Sequence, residues 1–250
     1  MNRFPVISII TVCFNEREHI EQTINSVLNQ TLAGIEFIVI DGASTDGTTE
    51  IIERYRNRIA YYSSEKDKGI YDGMNKGLKQ ATGEYILFLN GGDVLAANDV
   101  LEKTFATQTG ADAWYGEVQF LDEQGQVLGT RSQVSNQQLP AQLNWKSLRH
   151  GMVVSHQAFI VKRELAPYYD LQYRICSDIN WMIACLKNCR TTCNTGLVIA
   201  QFRTGGTSAQ HRKKAWKERY QILKTHYGFL PNLLNHAWII VRYLFSRKKY

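Results

Sequence analysis

Apolar runs alternate with amphipathic segments over the first 90 residues of the chain. Four runs are short and rich in β-branched side chains, which predicts buried strands over residues 6–12, 35–40, 59–63 and 84–89. Helices are predicted after Asn15, after Asp46-Gly47 and over 70–81, with Asn15 as the N-cap of the first. Strands and helices in this order predict an α/β fold with a Rossmann-like, mostly parallel sheet and helices on both faces.

The second half of the chain is less regular. Its patterns predict strands over residues 113–120, 126–132, 153–161 and 192–201, and helices over 178–186, 210–226 and 231–247. No linker composition separates two independent units. We therefore expect one folded domain over residues 1–205, followed by a helical, basic tail over 206–250.

The positive charge of the chain is concentrated in this tail. The formal net charge is +6, from 29 Lys and Arg against 23 Asp and Glu. Eleven of the bases and a single acid, Glu218, lie between Arg203 and the C-terminus, which leaves the body net acidic. Such a tail suits two kinds of partner, nucleic acid and an anionic membrane surface. Nucleic acid is disfavoured because the body is acidic and carries no recognition motif.

An apolar stripe in the tail leaves two interpretations open. Apolar residues recur at helical spacing at Leu230, Leu233, Leu234, Ala237, Trp238, Val241, Leu244 and Phe245. One interpretation is a helix that lies on an anionic membrane leaflet, and the other is a terminal helix packed against the domain. No apolar run is long enough to span a bilayer.

The cysteines bear on location and on metal binding. The chain has five, and its N-terminus lacks a signal-peptide pattern, which together favour reduced thiols and a cytoplasmic location. Cys185, Cys189 and Cys193 recur every fourth residue, which is typical of a metal site or of thiols buried on a helix face. The second interpretation is favoured because no Cys-x-x-Cys motif or His cluster accompanies them.

Polar residues follow the predicted strands at the points where the strands end. Asn15 follows the first strand, Asp41 the second, Glu65 and Asp67 the third, and Asn90–Asp93 the fourth. Parallel strands end at one edge of a sheet, and ligands of such folds bind there. The sequence therefore predicts a ligand site at this edge in which carboxylates gather.

Four segments carry a resemblance to a known family. Residues 39–48, VIDGASTDGT, resemble a motif of the family 2 inverting glycosyltransferases, which have the GT-A fold. Residues 8–15, 68–77 and 83–93 resemble further segments of that family in the same order, in particular of the small enzymes of colanic-acid and capsule assembly. The resemblance implies a GT-A domain over residues 1–205 that moves a sugar from a nucleotide-sugar to an acceptor hydroxyl.

The resemblance also implies substrates and a place in the cell. The donor is expected to be a UDP-sugar. The acceptor is expected to be a lipid-linked saccharide in exopolysaccharide, capsule or lipopolysaccharide assembly. The reaction is expected at the cytoplasmic face of the inner membrane, with a divalent cation, Mn²⁺ or Mg²⁺, as cofactor.

Individual roles follow from the matched motifs. The residue matching Asp41 accepts a hydrogen bond from the uracil imide N–H. Asp93 matches the ligand of the cation that neutralises the leaving diphosphate, and Asp178 matches the general base. Further nucleotide-sugar contacts are expected from Thr11, Asn15, Glu65, Asp72, Asn75, Asn90, Gly91, Gly92, His156 and Gln157.

Several of these assignments have an alternative. Asn90 and Gly92 stand where the family often has acids, so Asp93 is the one acid left to bind a cation. Asp41, Asp93 and Asp178 could each serve only as a turn or cap carboxylate, the role favoured for Asp46. Lys76 is expected on a solvated helix face, with a role near phosphate as the alternative. Residues 205–208, with His211 and Arg212, resemble a loop that closes on the diphosphate.

Other function classes fit the sequence less well. A sugar nucleotidyltransferase would have a Gly-rich, basic loop after the first strand, where residues 13–18 read CFNERE. A catalytically inactive scaffold protein is a further alternative, because Asn90 and Gly92 stand where the metal motif often has acids.

Overall fold

The computed structural model describes residues 6–122, 124–135, 137–203 and 212–245. Within them one sheet contains the strands β1 Ile7–Cys13, β2 Ile35–Asp41, β3 Tyr61–Ser64, β4 Tyr85–Phe88, β5 Val94–Leu95, β6 Ala113–Leu121, β7 Val127–Thr130, β8 Phe159–Lys162 and β9 Thr192–Arg203. The α-helices are α1 Ile20–Leu28, α2 Thr48–Glu53, α3 Ile70–Gln80, α4 Val100–Ala106, α5 Arg131–Val134, α6 Ser177–Asn188, α7 Arg212–Tyr227 and α8 Phe229–Phe245. Short 3-10 helices span Arg56–Arg58, Trp145–His150, His156–Ala158 and Arg163–Leu165.

The strand order of the sheet is β3-β2-β1-β4-β8-β6-β9-β5, and β7 pairs with β6. β1 is parallel to β2 and β4, β2 to β3, and β6 to β9, whereas β8 is antiparallel to both of its neighbours. The predicted α/β fold with a mostly parallel sheet is confirmed. The carboxyl ends of β1 to β4 meet at one edge, which we call the ligand edge.

Two apolar cores cover the two faces of the sheet. Successive residues of a strand point to opposite faces. Ile10 and Val12 of β1 therefore pack with α3 and α6, whereas Ile7 and Ile9 pack with α1, α2 and α4. Each fully buried isoleucine contributes about 1.5 to 3 kcal/mol to stability, so the strand that ends at the ligand edge is fixed from both sides.

Helix α3 lies unusually close to the sheet because two glycines face it. A Cβ at Gly77 would be 2.3 Å from Ile10 Cγ2, and a Cβ at Gly73 would be 2.6 Å from Val12 Cγ1. No side chain larger than hydrogen fits at either position without a shift of the helix. The glycines therefore set the height of α3 over β1 and the position of its N-terminal end at the ligand edge.

The structure corrects the predicted start of the first helix. Asn15 has φ of +54° and is not an N-cap, because α1 begins only at Ile20, after His19. Asparagine tolerates this left-handed conformation better than most residues, and it lets the chain turn sharply as it leaves β1.

The structure also corrects two strands of the second half. The segment predicted as a strand over 153–161 contains the 3-10 helix His156–Ala158, and β8 starts only at Phe159. The strand predicted over 126–132 ends at Thr130, where a capping box with Gln133 starts α5. In both places polar side chains find partners outside a strand ladder, which periodicity does not reveal. β5 and α4 were not predicted.

The C-terminal helices contact the body of the protein, α7 at its core and α8 beside the 3-10 helix Trp145–His150. Ala215, Ile222 and Leu223 are buried in the same core as α3 and α6. Glu218, also buried, accepts hydrogen bonds from the backbone N–H groups of residues 174–176 at 2.8 to 3.1 Å. The predicted boundary between residues 205 and 206 lies outside the described residues, and so does the predicted diphosphate loop over 205–208. That division stays a prediction.

The cysteines do not form a cluster. Cys185 is buried within α6, Cys189 follows the end of that helix, and Cys193 lies in β9. All five cysteines are free thiols. No helix of the described part of the chain is both long and apolar enough to cross a bilayer.

Candidate active site

A tight turn, Asn90–Asp93, follows β4 and carries the predicted metal motif. The Gly91 N–H donates to the carbonyl of Val12 at 2.9 Å, and a Cβ at Gly91 would lie 2.8 Å from the Cβ of Cys13. Gly92 has φ of +91°, a left-handed conformation that favours glycine. The two glycines therefore let the turn lie directly against the end of β1.

Asp93, the last residue of this turn, is 4% exposed. Gln157 donates from Nε2 to Asp93 Oδ2 at 2.9 Å. Burial raises the pKa of Asp93 to about 7, and the hydrogen bond from Gln157 opposes this shift only in part. The carboxyl group therefore changes its protonation state near neutral pH.

His156 lies between this turn and Asp178. Its Nε2 is 3.2 Å from Asn90 Nδ2, and its Nδ1 is 3.8 Å from Asp178 Oδ2. With the Asn90 amide as donor, Nε2 accepts, which leaves the proton of a neutral imidazole on Nδ1, on the side of Asp178. The adjacent residues His156 and Gln157 therefore connect both Asp178 and Asp93 to one 3-10 helix.

Asp178 is the second residue of α6, and its side chain is 25% exposed. The N-cap position of α6 is held by Cys176, so Asp178 is not the N-cap. Its Oδ1 accepts the N–H of Ile179 at 2.8 Å, and its Oδ2 lies on the side of His156. A carboxylate that is oriented by its own helix and still reaches solvent is suited to take a proton from a bound hydroxyl.

Asp41 ends β2 and is fully buried. Its Oδ2 accepts from the Ser44 N–H at 2.9 Å and from Ser64 Oγ at 2.6 Å, and its Oδ1 accepts from Ser44 Oγ. These bonds give Asp41 the turn-forming role that was its alternative. The contact of Asp41 with uracil stays a prediction.

Asp46 is not the N-cap of α2 that we favoured, because Gly47 holds that position, but its carboxylate still binds the first residue of the helix. Its Oδ1 accepts from the N–H of Thr48, the first residue of α2, at 3.0 Å. Its Oδ2 accepts from the backbone N–H of Arg17 at 3.0 Å. Asp46 therefore fixes the start of α2 and ties the loop after β2 to the loop after β1.

Asn15 and Glu16 lie in the loop after β1. Asn15 Oδ1 accepts from the Thr45 N–H at 2.9 Å, so the predicted ligand residue joins the two loops that follow β1 and β2. A Cβ at Gly91 would lie 3.0 Å from Glu16 Cγ, which places Glu16 against the Asn90–Asp93 turn. Burial, reinforced by the negative charge of Asp46, raises the pKa of Glu16.

Phe14 is the first residue after β1 and is 60% exposed. A Cβ at the neighbouring Gly42 would be 3.4 Å from the Phe14 ring and 3.4 Å from Asp67 Oδ2. An exposed aromatic ring beside a ligand-binding edge is suited to stack on a nucleobase. Sequence reasoning named neither Phe14 nor Glu16 as a ligand contact. Their position directly after a buried strand was the available signal.

Lys76 is not the solvated lysine that we expected. Its Nζ is 2.9 Å from Glu65 Oε1 and 2.5 Å from Asp67 Oδ1. The predicted ligand residue Glu65 therefore forms one side of a three-residue charge cluster on the loop between β3 and α3. This cluster holds the loop against α3.

Two predicted contact residues form hydrogen bonds within the protein, and a third is buried. Asn75 donates to the carbonyl of Tyr169 at 2.9 Å and accepts from its N–H at 2.7 Å. Asp72 Oδ2 accepts from the Lys68 N–H at 3.0 Å, at the start of α3. Thr11 is fully buried within β1. Thr11 does not reach the surface, whereas Asp72 and Asn75 are partly exposed. The contacts of all three with the donor stay predictions.

The oxygen atoms of the turn decide whether a divalent cation fits. No group of three His, Cys, Asp or Glu side chains is placed to hold a metal ion in the described ranges. A cation bound to a diphosphate needs only one or two protein oxygens, because phosphate and water supply the others. Asp93 offers a carboxylate, and Asn90 Oδ1 on the same turn is a buried oxygen without a hydrogen-bond partner. These two groups fit such a cation.

The fold and site geometry agree with the comparisons with known proteins. The family model for glycosyl transferase family 2 matches residues 8–166, more than half of the chain, and the chain belongs to that family. An uncharacterized glycosyltransferase of Mycobacterium tuberculosis is 28% identical over 96% of this chain and 92% of its own. TuaG of Bacillus subtilis, provisionally named a teichuronic acid biosynthesis glycosyltransferase, is 25% identical over 96% of this chain and 94% of its own.

Solved structures show the same fold. S. aureus TarS (1–349) in complex with UDP matches with a TM-score of 0.70 at 19% identity, over 96% of this chain and 72% of that chain. The mannosyltransferase PcManGT from Pyrobaculum calidifontis, in complex with GDP-Man and Mn²⁺, matches with a TM-score of 0.62 at 17% identity, over 95% of this chain and 70% of that chain. These likenesses define the GT-A architecture of this chain.

Proposed function

We propose that this glycosyltransferase moves a sugar, with inversion at the anomeric carbon, from a UDP-sugar to a hydroxyl of a lipid-linked saccharide. One observation carries the proposal. The 3-10 helix with His156 and Gln157 contacts both the glycine turn at the ligand edge and the carboxylate that opens α6. A donor site and a proton acceptor are thereby held in one rigid unit, as a direct displacement requires.

In the proposed reaction the acceptor hydroxyl lies beside Asp178. The bond from its oxygen to the anomeric carbon forms as the bond from that carbon to the diphosphate breaks, and the hydroxyl proton passes to Asp178. The His156 ring lies beside the carboxylate, with its Nδ1 3.8 Å from Asp178 Oδ2. The nucleoside diphosphate leaves with the electron pair of the broken bond.

Asp93 and Asn90 Oδ1 would hold the proposed divalent cation. When bound, the cation supplies positive charge to the leaving diphosphate. Gln157 orients the Asp93 carboxylate through the hydrogen bond of 2.9 Å, as the outer partners of metal ligands commonly do. The Mn²⁺ in the PcManGT complex supports this part of the proposal.

UDP is the proposed donor nucleotide. The TarS complexes with UDP and UDP-GlcNAc support it, whereas the PcManGT complex contains GDP-Man. Phe14 is the proposed stacking partner of the base, beside Asn15 and Asp41. Stacking of one base on an aromatic ring contributes about 1 to 3 kcal/mol.

The acceptor and the location complete the proposal. TuaG is named for teichuronic acid biosynthesis, and a Mycobacterium bovis relative, 29% identical over 74% of this chain and 71% of its own, for PGL/p-HBAD biosynthesis. These names support an acceptor in the assembly of a cell-envelope glycan. Five free thiols are typical of a reducing compartment, which supports the cytoplasmic face of the membrane.

Calorimetric titration of UDP, with and without Mn²⁺, tests the donor site. We expect binding that strengthens with Mn²⁺ and that loses the Mn²⁺ effect in Asp93→Ala. We expect Phe14→Ala to weaken binding by about 5-fold or more. Phe229→Ala, which removes an exposed ring from the other end of the chain, is the matched control.

Each outcome of the titration bears on one part of the proposal. Binding of GDP in preference to UDP would overturn the nucleotide assignment. Equal Mn²⁺ dependence in wild type and Asp93→Ala would overturn the metal assignment. Failure of every nucleotide to bind, with or without Mn²⁺, would contradict the donor site itself.

A further inference from the structure

The polarity of α8 is reversed relative to a helix packed on a protein core. Leu230 and Leu234 are 70% and 72% exposed, and the other members of the same exposed row are Phe229, Leu233, Trp238 and Val241. The opposite side of the helix is polar and buried, with Asn232 bonded to the Tyr220 carbonyl at 3.2 Å and His236 in an edge-to-face contact with the Tyr220 ring. Burial of the polar side against α7 leaves the apolar row exposed in the described part of the chain.

A cavity of about 470 Å³ opens beside this row. Lys146 and Arg149 line it together with the rings of Trp145 and Tyr227, and Pro231 and Leu234 of α8 form its apolar side. No acidic side chain lines it within the described ranges. Charge and shape therefore suit a small anion that is attached to an apolar chain.

Further cations surround this cavity and the apolar row. Lys187 Nζ lies 5.2 Å from the centre of the Trp145 ring, and Lys224 Nζ lies 5.7 Å from that of Phe229 at the start of the row. Glu218 is the one acid in the sequence after Arg203, and it is buried. The cations beside the cavity and the row therefore favour an anionic surface.

The cavity is separate from the donor site. Asp178 is at the first turn of α6 and Lys187 is at the last, about 13 Å away along the helix axis. An anion held beside Trp145 is therefore not the diphosphate of the donor.

We propose that the apolar row of α8 inserts into a membrane leaflet and that the cavity between α8 and Trp145–His150 binds the phosphate group of a membrane lipid. The leucines, Phe229 and Trp238 enter the boundary between headgroups and acyl chains, as in amphipathic helices that lie in an interface. Lys146 and Arg149 bind the phosphate as it meets the cavity. This site is a second ligand site, independent of the nucleotide.

Sedimentation with vesicles tests the proposal on the full chain. We use vesicles of phosphatidylcholine alone, with added phosphatidylglycerol, and with added polyprenyl phosphate. Wild type is expected to bind both anionic preparations, and the double variant Lys146→Ala/Arg149→Ala is expected to bind them about 30-fold more weakly. Lys79→Ala/Lys103→Ala, which removes two exposed lysines on α3 and α4, is the charge-matched control and is expected to bind like wild type.

A second variant tests the apolar row. Leu230→Gln/Leu234→Gln changes two exposed side chains and is expected to abolish binding to every vesicle. UDP binding, measured on the same samples, is expected to stay unchanged in all variants. If wild type does not bind UDP, the proposed donor is wrong. The vesicle result still tests the lipid site, because the two assays measure different sites.

Three results would overturn the lipid site. Equal binding of neutral and anionic vesicles would exclude a phosphate-binding cavity. If the cavity variant and the charge-matched control bind anionic vesicles equally weakly, net charge and not the cavity determines the binding. Absence of wild-type binding to all vesicles would exclude the membrane as the partner of α8. A stronger response to polyprenyl phosphate than to phosphatidylglycerol would support the lipid site and identify the lipid that carries the phosphate.

Discussion

Individual side chains at the ligand edge have environments that the sequence does not show. In the sequence, Asp93 is the one acid of the predicted metal motif over residues 90–93. In the structure it is buried, and its contact with Gln157 joins residues 64 positions apart. Asp41 could be predicted to lie at the edge because it ends a buried strand. Its bond with Ser64 could not, because that bond depends on the register of β2 and β3.

Asp93 makes the stability of the metal-free protein depend on pH. Its pKa is 3.8 ordinarily and about 7 in the fold, so the folded state binds more protons than the unfolded state between these values. Stability is therefore expected to fall as pH rises from 4 to 7, by about 4 kcal/mol at most. Asp93→Asn removes this dependence and is expected to be the more stable protein at pH 8.

Urea unfolding in the presence of a chelator checks this prediction. The midpoints of wild type and Asp93→Asn should converge below pH 4, separate as pH rises from 4 to 7, and stay apart above 7. Parallel pH profiles for the two proteins would show that the Asp93 carboxyl group titrates normally.

At the scale of elements, the short strands of the first half were predictable because they are continuous apolar runs between turn residues. The 3-10 helix at His156 was not, because the apolar residues that flank it continue the strand pattern on both sides. Its polar side chains find partners on the turn after β4 and on α6, which are distant in sequence. The candidate site is therefore centred on the element that periodicity assigned wrongly.

The distance between α3 and β1 depends on Gly77. Gly77→Ala adds a methyl group 2.3 Å from Ile10 Cγ2, which forces the helix away from the sheet. We expect a net loss of about 1 to 3 kcal/mol from overpacking, despite the higher helix propensity of alanine. Urea unfolding measures it, with Lys79→Ala on the exposed side of the same helix as control. A stabilised Gly77→Ala protein would contradict this packing.

His226 connects α7 to α6 and makes that contact sensitive to acid. Its Nε2 lies 2.8 Å from Asn180 Oδ1. Burial, reinforced by the positive charge of Lys187, lowers the pKa of His226 from 6.5 to about 4. The folded state resists protonation of His226, so stability is expected to be lost as pH falls from 6.5 to 4, by roughly 1 to 2 kcal/mol because the ring is partly exposed.

His226→Gln isolates this contribution. Glutamine keeps a donor for Asn180 and does not titrate, so the variant should lose less stability than wild type between pH 7 and pH 5. Thermal unfolding at the two pH values gives the comparison, since all other histidines are common to both proteins. An identical loss in both proteins would contradict a neutral, buried His226.

At the scale of the whole molecule, the chain places a donor edge and a basic, apolar surface at opposite ends of α6. The first was predictable from strand order and from the family motifs. The direction of the second was not, because an apolar stripe at helical spacing predicts an amphipathic helix without saying which side is buried. Only the contacts of Asn232 and His236 with α7 show that the polar side faces inward.

The central claim is that Asp178 takes the proton of the acceptor hydroxyl within a site joined to the donor turn by His156 and Gln157. The most direct test is the release of UDP from a UDP-sugar in the presence of membrane-extracted acceptor, for wild type, Asp178→Asn and the surface control Asp99→Asn. The account predicts that Asp178→Asn loses about 100-fold or more of the activity, with UDP affinity unchanged and Asp99→Asn fully active. Undiminished turnover in Asp178→Asn, with UDP affinity unchanged, would contradict it.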